Sequence, residues 1–205
     1  MVIVLVGFMG AGKSTVARAL AGRLKATWVD SDAEIERVAG ASIPELFVRD
    51  GEPAFRDLEH TVVAGLIDQG LRADPAPSAP ATLIIALGGG AAMHAGTRRA
   101  LRPPDGATPR PLVVHLKVGL DAALARVGDD ANRPMLADPD LPRIHAERMS
   151  GYDRIADLVV GTDGRTAADI ADEVLRSVLD WTPSGAPEHW PGQTMVRKGI
   201  PFRDS

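Results

Sequence analysis

Eight residues near the start of the chain, Gly7 to Ser14 (GFMGAGKS), have the types and spacing of a polyphosphate-binding loop, G-x-x-x-x-G-K-[ST]. Gly7, Gly10 and Gly12 let backbone N–H groups turn inward and approach phosphate oxygens. Lys13 can reach the outer phosphates, and the Ser14 hydroxyl can ligate Mg²⁺. Asp30 and Asp32 form a second reactive pair. Two carboxylates this close cannot both be buried and charged without a cation or donors nearby, and the phosphate loop supplies that need. One can hold Mg²⁺ through water while the other accepts a proton from a substrate hydroxyl. A helix cap beside a solvated acid is the alternative reading. Gly88-Gly89-Gly90 ends an apolar run where most phosphate-loop proteins carry an aspartate, so a ligand can lie against bare backbone there, unless the glycines are only a flexible strand exit. Arg56, Arg133 and Arg148 are candidates for gripping anions. Singly, such arginines are ordinary surface groups; together they offer bidentate pairs to carboxylate or phosphate, and a mobile one can close over a transferring phosphoryl group.

These groups need a frame, and apolar periodicity supplies one. Val2 to Val6 is an apolar strand running straight into the loop, and the helix from Lys13 carries Val16, Leu20 and Leu24 on one face. A strand at 27–29 ends in Asp30-Ser31-Asp32, with Ser31 or Asp32 expected to cap a helix over 33–39 closed by Gly40. Ser42 starts a short helix ending at Gly51, followed by a longer one over 52–71. Strands at 82–87, 112–116 and 157–160 alternate with helices at 95–101, 120–126, 141–152 and 166–181. Such alternation predicts an α/β fold with a parallel sheet covered on both faces, and open sheets of this kind bind ligands at their carboxyl edge. Pro-rich stretches at 72–81 and 102–111 read as surface loops, and 127–142 as a loop or lid. The expected organisation is one phosphate-loop domain over 1–181 and a Pro/Gly-rich tail over 182–205.

Composition narrows the partners. With 205 residues, 45% hydrophobic and 24% charged, the chain suits one globular domain. A net charge of −4 gives no overall basic footprint for nucleic acid. The absence of cysteine excludes disulfides and thiolate sites and fits a cytoplasmic setting. No apolar run approaches the ~20 residues of a membrane span. The five histidines lack metal-ligand spacing, and His115, inside a strand pattern, is expected to be packed.

GFMGAGKST, the Asp30-Ser31-Asp32 triplet, DGEPAFRDLE, LGGG and the Arg133/Arg148 pair, in this order, resemble the shikimate kinases over roughly residues 2–181. The resemblance implies a phosphate-loop, three-layer fold of the nucleoside monophosphate kinase type, with a five-stranded parallel sheet and a mobile lid. It implies that Gly10, Ala11, Gly12, Lys13, Ser14 and Thr15 bind the phosphates of ATP, and that Ser14 and Asp30 serve Mg²⁺. Asp32 would contact the ring hydroxyls of shikimate and serve as base at the 3-hydroxyl. Arg56 and Arg148 would grip its carboxylate, with Gly88, Gly89 and Gly90 under the ring. Lys13 and Arg133, the latter in the lid, would stabilise the transferring phosphoryl group, and Arg126 would flank adenine. The implied activity is ATP-dependent phosphorylation of shikimate on the way to chorismate, by a cytoplasmic enzyme expected to be monomeric. Gluconate kinases share the loop but are not expected to combine LGGG with GxxxFR. A regulatory nucleotide-binding module working through its tail is the remaining reading. The long loops and the acidic pair Asp129-Asp130 in the lid depart from a minimal family member.

Overall fold

The structure is a computed structural model and describes residues 1–73, 82–104, 109–128 and 138–179. Five parallel strands form one sheet in the order β2-β3-β1-β4-β5. The strands are β1 (Val2–Val6), β2 (Thr27–Asp30), β3 (Leu83–Ala86), β4 (Leu112–Lys117) and β5 (Leu158–Gly161). All five residues of β1 are buried, which is why this unbroken apolar run takes the central place between β3 and β4. The helices are α1 (Lys13–Leu24), α2 (Ser31–Ala39), α3 (Ile43–Arg72), α4 (Ala95–Leu101), α5 (Leu120–Val127), α6 (Leu141–Ile155) and α7 (Ala167–Leu179). Helix α1 packs against α7, α2 against α3, and α3 against α4 and a short 3₁₀ turn at Ala91–Met93. Most of the apolar core lies between the sheet and these helices, with a satellite of Ile35, Leu46 and Phe55 where α2 meets α3.

One boundary differs from expectation for a physical reason. The cap of α2 is Asp30, not Ser31 or Asp32: its carboxylate accepts the Asp32 N–H at 3.0 Å. Ser31 is fully buried, and its hydroxyl accepts the Gly88 N–H at 2.9 Å, tying the exit of β2 to the exit of β3. As expected, the helix from Ser42 and the longer one from Glu52 are divided at Gly51, where the chain leaves helical geometry at φ 78° and ψ 167°; the two follow end to end and are labelled together as α3. The expected surface loops lie mainly at 74–81 and 105–108, and the tail at 182–205; these are outside the described residues.

Candidate active site

Parallel pairing brings the carboxyl ends of β1, β2 and β3 to one edge, and a cleft of about 550 Å³ opens there. It is lined by Gly10, Gly12, Lys13, Ser14, Thr15, Asp30, Asp32, Gly88, Gly89 and Arg126, together with Met9, Leu87 and Val127. Ten of the residues expected to act thus share one cavity.

The donor side is made largely of backbone. Gly10 sits at φ 74°, and a Cβ there would fall 2.9 Å from the Ala123 Cα, so the loop can rest on α5 only with glycine at this position. Gly12, at φ 84°, turns the chain into α1, whose first residues are Lys13, Ser14 and Thr15. Ala11 is buried beneath the loop. The Lys13 ammonium donates to the carbonyls of Gly7 and Phe8 at 2.9 and 3.0 Å, so it lies curled along its own loop. Arg126 donates to the Gly10 carbonyl at 3.1 Å and to the Thr162 hydroxyl at 3.0 Å, bracing the loop against the turn after β5.

The acceptor side is made of side chains from four elements. Ser14 donates its hydroxyl to the Asp30 carboxylate at 2.5 Å. Asp32 stands beside them, and its carboxyl is pushed up to about 6, first by burial and then by the negative charges of Asp30 and Glu59. From α3, Arg56 donates to Glu59 at 2.8 Å and to Glu52 at 3.1 Å, while its guanidinium rests over the Phe55 ring at 5.2 Å. Glu59 has only 2% of its side chain exposed, so this pair is desolvated on the acid's side. From α6, the Arg148 guanidinium lies over the ring of Phe8, a loop residue, at 5.7 Å.

The glycines after β3 fit between these groups. A Cβ at Gly88 would fall 3.0 Å from the Glu59 carboxylate and closer still to Asp32, and one at Gly90 would fall 2.7 Å from the Arg56 guanidinium carbon. Around Gly89 the nearest atoms include an Arg148 nitrogen at 3.8 Å. Bare backbone at Gly88 and Gly90 is therefore what leaves room for Asp32 and Arg56, while Arg148 stands at ordinary contact distance from a side chain at Gly89. Of the expected residues, only Arg133 cannot be placed, because 129–137 lie outside the described residues.

Three contributors escaped the reading of the sequence. Glu59 is an acid on the apolar stripe of its helix, four residues after Phe55 and four before Val63, and a charge at a core position was its signal. Tyr152 stands one helical turn after Arg148. Ser31 was taken for a cap. His115, expected to be packed, is fully buried.

A doubly wound sheet with a phosphate loop after its central strand, facing a cluster of arginines, acids and glycines, defines a phosphate-loop kinase of small molecules. Comparison with known proteins makes this particular. A family profile of shikimate kinase matches residues 9–179. A shikimate kinase of Pseudomonas syringae pv. syringae is 38% identical over 185 residues, covering 88% of this chain and 98% of the relative. One from Thermobifida fusca is 41% identical over 178 residues, covering 85% and 93%. Among solved structures, the shikimate kinase of Acinetobacter baumannii in complex with shikimate superposes with a TM-score of 0.71 at 35% identity, covering 87% of this chain and 93% of that one. The enzyme from Aquifex aeolicus gives 0.72 at 28% identity, covering 88% and 97%. The chain belongs to the shikimate kinase family.

Proposed function

We propose that this cleft transfers the γ-phosphoryl group of ATP to the 3-hydroxyl of shikimate, giving shikimate 3-phosphate and ADP. The observation that carries the reading is that Asp32, Gly88 and Gly89 line one cleft with the phosphate loop, while Arg56 and Arg148 approach the adjoining glycine backbone at Gly90 and Gly89. Loop amides from Gly10 to Thr15 and the Lys13 ammonium hold the β- and γ-phosphates; on binding, Lys13 exchanges the Gly7 and Phe8 carbonyls for phosphate oxygens. Arg126 stands at the adenine end, and Arg133 keeps the charge-stabilising role the family resemblance gives it. Arg56 and Arg148 take the acceptor's carboxylate, and Asp32 takes the 3-hydroxyl. That oxygen bonds to phosphorus as the bond to the β–γ bridging oxygen breaks; its proton passes to Asp32, and the bond electrons leave on ADP.

Mg²⁺ fits the donor set. Ser14 and Asp30 bring two hard oxygens together beside the phosphates, and among the described residues no cluster of three or more His, Cys, Asp or Glu competes for the ion. Bound there, the ion would neutralise phosphate charge. The net charge of −4 gives no overall basic footprint for nucleic acid, and among the described residues no helix is long and apolar enough to cross a membrane; a cytoplasmic monomer is the state the family resemblance gives the enzyme.

The test is ADP formation by purified protein with Mg·ATP and shikimate, gluconate or no acceptor. Turnover that depends on shikimate alone is expected. Turnover with gluconate would replace the acceptor, and ATP binding without turnover on either would favour a regulatory module.

A further inference from the structure

Tyr152 is the chain's single tyrosine, and it is fully buried directly beneath the acceptor surface. Its hydroxyl donates to the carbonyl of Gly89. Burial pushes the phenol up to about 12, so it keeps that proton throughout the working range. The ring is held on its other side by His115 of β4, with ring centres 5.2 Å apart. His115 is itself fixed: its Nδ1 donates to the carboxylate of Asp153, the residue after Tyr152, at 2.7 Å. Strand β4 and helix α6 therefore lock the phenol in place before any substrate arrives.

In a trans peptide the C=O and N–H point to opposite sides. Gly89 lines the cleft and Tyr152 does not. A Gly89 carbonyl drawn onto the phenol therefore turns the Gly90 N–H away from Tyr152. The same helix delivers Arg148 four residues earlier, on the same face, with a nitrogen 3.8 Å from where a Gly89 Cβ would stand. One element thus sets both a backbone donor and a guanidinium.

On the reading that shikimate is the acceptor, we infer that Tyr152 is a positioning residue for it. By fixing the Gly89–Gly90 peptide, Tyr152 presents the Gly90 N–H together with Arg148 to an oxygen of the acceptor. A purely packing role for the ring would need no hydroxyl and would not distinguish acceptor from nucleotide.

Tyr152→Phe keeps the ring and removes only the hydroxyl. Loss of one oriented hydrogen bond predicts a KM for shikimate raised roughly 3–10-fold, while the KM for ATP stays within about twofold and kcat is largely retained. Unchanged KM values, or a parallel rise in both, would overturn the inference. An independent arm needs no substitution. Full-length protein made with 3-fluorotyrosine carries one ¹⁹F signal, which shikimate should shift and a non-hydrolysable ATP analogue alone should leave nearly in place. A signal indifferent to saturating shikimate overturns the inference even if the Phe variant fails to fold. Wild-type turnover separates the two readings. With shikimate-dependent turnover intact and both arms negative, only the role of Tyr152 falls. Without turnover, the assignment of the acceptor falls and takes this role with it.

Discussion

The two sides of the cleft are built by different means. The donor side is one continuous stretch, Gly7 to Thr15, whose backbone amides and single ammonium are proposed to meet the phosphates, and its geometry follows from a strand, a glycine turn and a helix start. The acceptor side is assembled from the exits of β2 and β3, from α3 and from α6, and its side chains are held by one another: Arg56 by Glu59, the Asp32 N–H by Asp30, and the Gly88 N–H by Ser31. A local device tolerates change around it. A composite one transmits damage, because removing one member leaves another buried without its partner.

Asp32→Asn should produce the largest change and separate the two sides most clearly. Losing a base costs about 10²–10⁴ in kcat, yet the fold should gain. Asp32 is raised from its ordinary 3.8 to about 6, so its carboxylate is disfavoured in the folded protein. Between those values the folded chain binds more protons than the unfolded one, so this group's contribution to stability increases as pH falls from neutrality through about 6 and levels off near 4. The amide removes the penalty at pH 7, a gain of about 1–2 kcal/mol readable in urea unfolding. The wild type's kcat/KM for shikimate should fall on the acid side with an apparent pKa near 6. A variant less stable than wild type at pH 7 would contradict the electrostatic account of this corner.

Lys13→Met comes next. It should cost ~10²–10³ in kcat with little change in melting temperature, because Lys13 lines the open cleft, where water can take the place of its ammonium. Near-normal kcat would remove Lys13 from the phosphoryl path. Arg56→Ala should instead raise the KM for shikimate about 10–100-fold through lost charge-assisted hydrogen bonds. It should also destabilise the fold by ~3 kcal/mol, because Glu59 is left charged and buried. Adding Glu59→Gln should restore the stability but not the KM; a variant that loses neither would mean the pair is incidental. The smallest effect is expected from Gly90→Ala, whose methyl group would displace the Arg56 guanidinium and raise the KM for shikimate ~3–10-fold while leaving the KM for ATP alone.

The same contrast explains what could be read in advance. The loop, the parallel sheet and most helix limits were legible because each rests on local spacing: five buried residues in a row, a glycine at a positive φ, an apolar stripe at helical period. Asp30, Asp32, Arg56, Arg148 and the three glycines were legible as residue types; the fold brings Asp30, Asp32, Gly88 and Gly89 to the lining of one cavity and sets Arg56 against Gly90 and Arg148 near Gly89. Their mutual support was not. That Ser31 binds Gly88 and Tyr152 binds Gly89 depends on contacts between residues far apart in the chain, which periodicity does not encode; the Arg56–Glu59 pair, three residues apart on one helix, was within reach of helical spacing and was missed because only the arginine was read as a site residue. The cap of α2 was misread for the same reason: three adjacent residues could each have served, and the choice fell to Asp30 because Ser31 was needed by β3.

The most direct test of the central claim is where the phosphate ends up. Wild-type enzyme with Mg·ATP and shikimate should give a single product in which ³¹P–¹H correlation connects phosphorus to the proton on C3, with the carboxylate and the other hydroxyls unchanged. Phosphate on any other oxygen, or a mixture of positions, would show that Asp32 and the arginine–glycine surface do not orient the acceptor as described.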